Sequence, residues 1–282
     1  MATDSALPAV ETAHLLVPLH RELVALLRGL APEDWLRPTS AGAWRVRDVA
    51  AHLLDGQLRR LSFHRDRLDR TTRPDDAQYA SVLAYVNALN AAWVAVADRF
   101  SPRVLTDLLH TIGEEAAVFL AGLPPHAPAF WPVAWAGEAR SENWMDVGRD
   151  YTEYWHHQQQ IRDAVGAPAL DAGRWLSPVV ALGVRALPPA LAPLPRPDGT
   201  SLRLTVSGDG GGRWLLLRTG GTWSVIGDDT PHAHDAAVTL GAMAAARLWY
   251  SGRRPRAGAE QAACDGDRAL CDAVLAARAL MV

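Results

Sequence analysis

The sequence predicts an α+β protein, with an N-terminal up-and-down helical bundle followed by a small C-terminal α/β sandwich whose sheet is mainly antiparallel. Two patterns carry this expectation. Apolar residues recur every three to four positions from about Val10 to Val165; from Leu202 the period drops to two, with Gly-rich turns between short apolar runs. The chain has 282 residues, more than the ~100–200 of a typical domain. The Pro-dense run from Leu187 to Pro197 marks the joint, so the expected domains are 1–185 and 186–282.

Each element has its own signal. Val10, Ala13, Val17, Leu23, Val24, Leu27 and Leu30 share the face of a first helix, which the run Ala31 to Gly42 breaks. Val46, Val49, Leu53, Leu54, Leu58 and Leu61 mark a second, longer helix from Trp44 to about Leu68. A polar connector, Thr71 to Asp76, leads to a third helix through Val82, Val86, Leu89, Trp93, Val96 and Phe100. Ser101-Pro102 restarts the chain as a fourth helix, because Ser caps free amides and Pro suits the first turn. It runs to about Gly122. The Pro-rich segment Pro124 to Pro132 is a crossover loop, and a fifth helix from about Ser141 to Val165 stops before Gly166 and Pro168. A further helical stretch precedes the joint. Beyond it lie strands at Leu202 to Val206, Trp214 to Leu217, Trp223 to Ile226 and Ala237 to Leu240, then helices at about Ala242 to Tyr250 and Asp267 to Leu280.

Composition narrows the function. Hydrophobic residues at 49% against 21% charged supply apolar surface for two cores and exclude a mainly disordered chain. The net charge of −3 offers no basic footprint for phosphates, so nucleic acid is excluded as a partner. No apolar run reaches the ~20 residues of a membrane span; a cytoplasmic protein, monomer or homodimer, is expected. The Gly-rich pieces Asp209 to Gly212 and Gly220-Gly221 join strand to strand, whereas a phosphate cradle opens a helix, so both read as hairpin turns. Cys264 and Cys271 have neither metal-knuckle nor redox spacing and read as small buried hydrophobes.

Three residues stand out as chemistry. His52 lies one position from the apolar stripe of its helix and therefore near the interior, where an imidazole needs a partner. Glu153 and His157 are four residues apart, one above the other on a helix face. Two imidazoles and a carboxylate form a three-ligand set with one coordination position free, the pattern of a catalytic divalent metal site. The same spacing also suits a hydrogen-bonded core His and a surface Glu–His pair. His156, three residues from Glu153, is a rival ligand or a second donor, and His20 interrupts the stripe of the first helix.

These residues sit in recognisable surroundings. The segment Leu30 to Trp35, then Trp44-Arg45-Val46-Arg47-Asp48-Val49-Ala50-Ala51-His52-Leu53, resembles the N-terminal domain of the mycothiol-dependent maleylpyruvate isomerase family, within the DinB-like metalloenzymes. Glu153, Trp155 and His157, followed by Ile161-Arg162 and Gly166, resemble that family's second metal motif. The C-terminal unit resembles the sterol-carrier-like domain such proteins append. The resemblance implies a divalent metal, zinc before iron or nickel, on His52, Glu153 and His157, and it favours His157 over His156. It also implies that Trp249 to Arg253 supplies an arginine, Arg253, able to anchor an anionic group with its planar fork.

The implied function is that of a metal-dependent enzyme in which mycothiol, or another low-molecular-weight thiol, attacks a small electrophilic substrate, giving S-transfer or cis–trans isomerisation. His156, His20 and Arg253 are the expected catalytic side chains. Two alternatives remain open from sequence: a thiol-independent hydrolase or hydratase using metal-activated water, with His156 or His20 as base, and a non-enzymatic small-ligand carrier.

Overall fold

The computed structural model describes residues 7–68, 79–228, 233–250 and 262–279. The chain forms two compact units. The helical unit consists of Thr12–Trp131 and Glu142–Ala169. It contains α1 (Ala13–Arg28), α2 (Val46–Arg59), α3 (Tyr79–Ala97), α4 (Pro102–Ala121) and α5 (Asn143–Val165). α1 packs on α4 and α5, and α2 packs on α3, α4 and α5. Their apolar stripes meet in a core that includes Leu23, Leu27, Val46, Val49, Leu53, Leu54, Leu109 and Ile161. Each such side chain contributes ~1.5–3 kcal/mol on burial.

The helix ends follow their sequence signals. Ser101 Oγ accepts the Val104 amide at 3.3 Å, with Pro102 in the first turn of α4. Gly166 ends α5 at φ +69°, a left-handed conformation that glycine adopts without strain. The second helix departs from expectation. After Arg59 it widens into a π-helical turn, Arg60–Arg65, instead of continuing as α-helix to about Leu68. The first residue of that turn, Arg60, is buried and bonds Asp146 at 2.8 and 2.8 Å and Asp150 at 2.6 and 2.7 Å. A buried guanidinium requires such partners, and these tie the end of α2 to the start of α5.

The second unit comprises the described residues before Thr12, Pro132–Ser141 and the described residues from Leu170. It contains α6 (Gly173–Gly183), α7 (Leu187–Leu191), β1 (Ser201–Ser207), β2 (Gly212–Thr219), β3 (Thr222–Gly227), β4 (Ala236–Gly241), α8 (Ala242–Tyr250), β5 (Ala263–Gly266) and α9 (Arg268–Ala276). The strand order is β3-β2-β1-β4-β5. Among the described residues only β1 and β4 run parallel, and the other three pairings are antiparallel. Leu202, Leu204 and Val206 of β1 are buried while Arg203 and Thr205 are less so, as period-two alternation demands. The Gly220-Gly221 hairpin has both residues at positive φ, +57° and +78°, and its amides donate to the Asp198 carboxylate at 3.0 Å each.

Two features of this unit differ from the sequence reading. β5 pairs with β4 but carries no apolar alternation, so nothing in its four residues announces a strand. The division between units falls after Ala169, whereas the sequence places the boundary after residue 185. Packing accounts for the difference: Tyr250 Oη donates to the Val179 carbonyl at 3.1 Å, and Gly183 lets α6 lie against the rings of Trp249 and Tyr250. Cys271 is buried, with its thiol pushed up to about 11 by burial. Among the described residues no helix is long and apolar enough to cross a membrane.

Candidate metal centre

The helical unit brings three donors together. The Asp48 carboxylate accepts the Arg45 amide at 2.9 Å and fixes the start of α2; His52 follows one turn later on the face turned to α5. On α5, Glu153 and His157 are stacked one turn apart. His52 Nε2 lies 3.4 Å and His157 Nε2 3.1 Å from the same oxygen, Glu153 Oε1. One ligand atom from each of the three residues falls within 4.8 Å of the others.

These distances fit an ion. Two atoms bonded at ~2.0–2.1 Å to one tetrahedral cation stand roughly 3.3 Å apart. The imidazoles of His52 and His157 meet edge to face with centroids 4.7 Å apart, and the Trp44 indole packs on both, at 5.1 and 6.5 Å. The side chains of His52 and His157 are 10% and 11% exposed, while that of Glu153 is 41% exposed. The cluster is therefore enclosed on the imidazole side and reaches solvent on the carboxylate side.

Electrostatics favours the ligating forms of Glu153 and His52 and the protonated form of His157. Burial raises the Glu153 carboxyl, but the charge of His157 and the hydrogen bonds from His157 and His52 outweigh it and hold the group well below the usual carboxylate range. Burial lowers His157, yet attraction to Glu153 and the bonds to Glu153 and Gln160 raise it overall. His52 goes down, chiefly through burial, with repulsion from His157 adding to the effect. The directions of these shifts favour charge on Glu153 and His157 and the neutral form of His52.

The other expected site residues are placed differently. His156 adjoins His157, with ring centroids 5.4 Å apart, but its Nε2 turns to Gln160 at 3.0 Å. Burial and the neighbouring His157 push its imidazole down to about 3. His20 belongs to a separate buried cluster: its Nδ1 bonds Tyr154 Oη at 2.8 Å, and Gln57 Nε2 donates to the same oxygen at 2.6 Å. Arg253 lies outside the described residues. Sequence reasoning did not single out Trp44, Gln57, Tyr154 or Gln160 as site residues. The signal for Gln160 was present in its spacing, three residues from His157 and four from His156.

Comparison with known proteins agrees with this region. A family model described as the mycothiol maleylpyruvate isomerase N-terminal domain matches residues 16–162, a span that includes His52, Glu153 and His157. Among solved structures, the chain is similar to a mycothiol-dependent maleylpyruvate isomerase and to a mutant of that enzyme. Each match has 11% identity and a TM-score of 0.48, covering 84% of this chain and 88% of the other. No curated protein matches. The family model spans more than half of the 282 residues, and the chain therefore belongs to the mycothiol maleylpyruvate isomerase N-terminal domain family.

Proposed function

We propose that the protein is a metal-dependent enzyme that uses a low-molecular-weight thiol of the mycothiol type to isomerise, or to transfer sulfur to, a small electrophilic substrate. The observation that carries this reading is the convergence of His52, Glu153 and His157 on one point that is walled on one side and open on the other. Family membership supports the thiol.

His52, Glu153 and His157 would hold a divalent cation, zinc in the first instance, with iron or nickel also suited to two imidazoles and one carboxylate. Bound there, the cation would supply Lewis acidity that lowers the pKa of a thiol. The protein's own residues do the rest. Glu153 offsets part of the positive charge, Trp44 covers the two imidazoles and excludes water from that side, and the 41% exposure of Glu153 gives the reactants their approach. Arg253 is the proposed anchor for an anionic group on the substrate.

Elemental analysis of protein purified without added metal should return one divalent ion per chain. Calorimetric titration of the zinc-loaded protein with mycothiol, glutathione and bacillithiol should then show binding of mycothiol that disappears when the ion is removed. Binding of none of the three would reject the thiol and leave metal-activated water as the chemistry of the site.

A further inference from the structure

The two adjacent histidines of α5 raise a question of selection. His156 and His157 are both buried, at 8% and 9% exposure, and both are imidazoles on the helix that carries Glu153. Only His157 contributes to the donor cluster. Gln160, also buried, lies between them. Its Oε1 is 2.8 Å from His157 Nδ1, and its Nε2 is 3.0 Å from His156 Nε2.

A primary amide has unlike ends. The oxygen only accepts and the nitrogen only donates. With the amide oriented so, His157 Nδ1 is the donor to Gln160, and a ring that gives up its Nε2 proton from Glu153 to a cation keeps its other proton on Nδ1. At the other end the amide N–H donates, so His156 Nε2 is the acceptor and its lone pair is already engaged. One side chain thus imposes opposite tautomers on neighbouring rings, presenting one for coordination and occupying the other. The reverse amide orientation would place the His157 proton on Nε2, where an ion has to bind. His52 has no such restraint: among the described residues its Nδ1 is buried without a hydrogen-bond partner.

We propose that Gln160 is the positioning residue that selects His157, and not His156, as the metal ligand by fixing opposite tautomers on the two imidazoles. This rests on the reading of the cluster as a metal site, and the two are tested separately. Zinc affinity, measured by competition with a chromophoric chelator, should fall about 10- to 100-fold in Gln160→Leu, the usual effect of losing a group that orients a ligating imidazole. Gln160→Glu, which keeps an acceptor for His157 Nδ1, should stay close to wild type; circular dichroism establishes that both variants are folded.

The second measurement needs no metal. Nitrogen-15 NMR of the histidine rings in metal-free protein should show His157 protonated at Nδ1, with or without a second proton on Nε2 toward Glu153, and His156 carrying its lone pair at Nε2. The same spectra of Gln160→Leu should show His157 as a tautomer mixture. Wild-type affinity in Gln160→Leu, or a His157 Nδ1 without a proton in the native protein, overturns the proposal. If the native protein binds no zinc, the metal reading fails, and the tautomers alone decide the role of Gln160.

Discussion

The helical unit holds two buried polar clusters within reach of the same stretch of α5, and they differ in one respect. In His52/Glu153/His157, Nε2 atoms from two elements face a single carboxylate oxygen and the carboxylate side is open to solvent. In His20/Tyr154/Gln57 the Tyr154 hydroxyl ties the cluster together, bonding His20 Nδ1 and accepting from Gln57, while His20 Nε2 and Gln57 Oε1 are buried without a partner among the described residues and α4 closes over the cluster at Gly113. Burial and a shifted imidazole are common to both. Convergence of lone pairs on an accessible point belongs to the first alone, and it is this that separates a site from a structural knot.

The largest effect should come from His52→Ala. Removing one of three ligands should abolish retention of the ion through gel filtration and leave the helical circular dichroism spectrum unchanged; native metal content in this variant would remove the distinction between the clusters.

The next effect belongs to the closed cluster and appears on acidification. Burial holds His20 down at about 4, against an ordinary 6.5, with the His110 carbonyl and Glu114 opposing the shift and the charges of His110 and Arg21 adding to it. A histidine with a depressed folded pKa contributes stability that is complete above 6.5 and is lost as pH falls from 6.5 toward 4. The loss amounts to up to about 3 kcal/mol. Urea midpoints of metal-free protein at pH 7.5 and 4.5 should differ less in His20→Leu than in the native chain, and an equal difference would contradict the assignment.

Gly113→Ala is a steric test of the same cluster. A Cβ at position 113 would stand 2.1 Å from His20 Cε1 and 2.8 Å from Gln57 Oε1, both held by Tyr154. The expected cost is about 2–3 kcal/mol, read as a lower midpoint with zinc affinity unchanged. Tyr154→Phe should cost least, about 1 kcal/mol, by leaving the Gln57 amide without its acceptor. A loss of zinc affinity in either variant would join the two clusters into one functional unit.

Much of this was legible in the sequence. The five helices of the first unit, four strands and the two C-terminal helices follow from apolar period and from turn residues, because each buries one face. The grouping of His52, Glu153 and His157 was suggested by the i, i+4 pair and a histidine near an apolar stripe, with the family resemblance choosing His157 over His156. What escaped depends on contacts distant in sequence. β5 exists because β4 offers backbone partners to Ala263–Gly266, whose own side chains express no strand preference. The widening of α2 at Arg60–Arg65 accompanies an ion pair with residues ninety positions away. The contrast between His20 and His52 was invisible as well: each interrupts or borders an apolar stripe, and only the partners supplied by α5 tell them apart.

The excursion of Pro132–Ser141 into the sheet-bearing unit has a consequence for dissecting the molecule. The chain leaves the bundle between α4 and α5, lodges Val133 at 0% exposure, and returns before it departs again at Leu170. A gene truncated after Ala169 would therefore encode a bundle with an orphaned ten-residue loop and an uncovered valine. A faithful excision of the bundle has to replace that loop with a short polar bridge, and recombination between relatives would have to exchange the loop together with the carboxyl-terminal half.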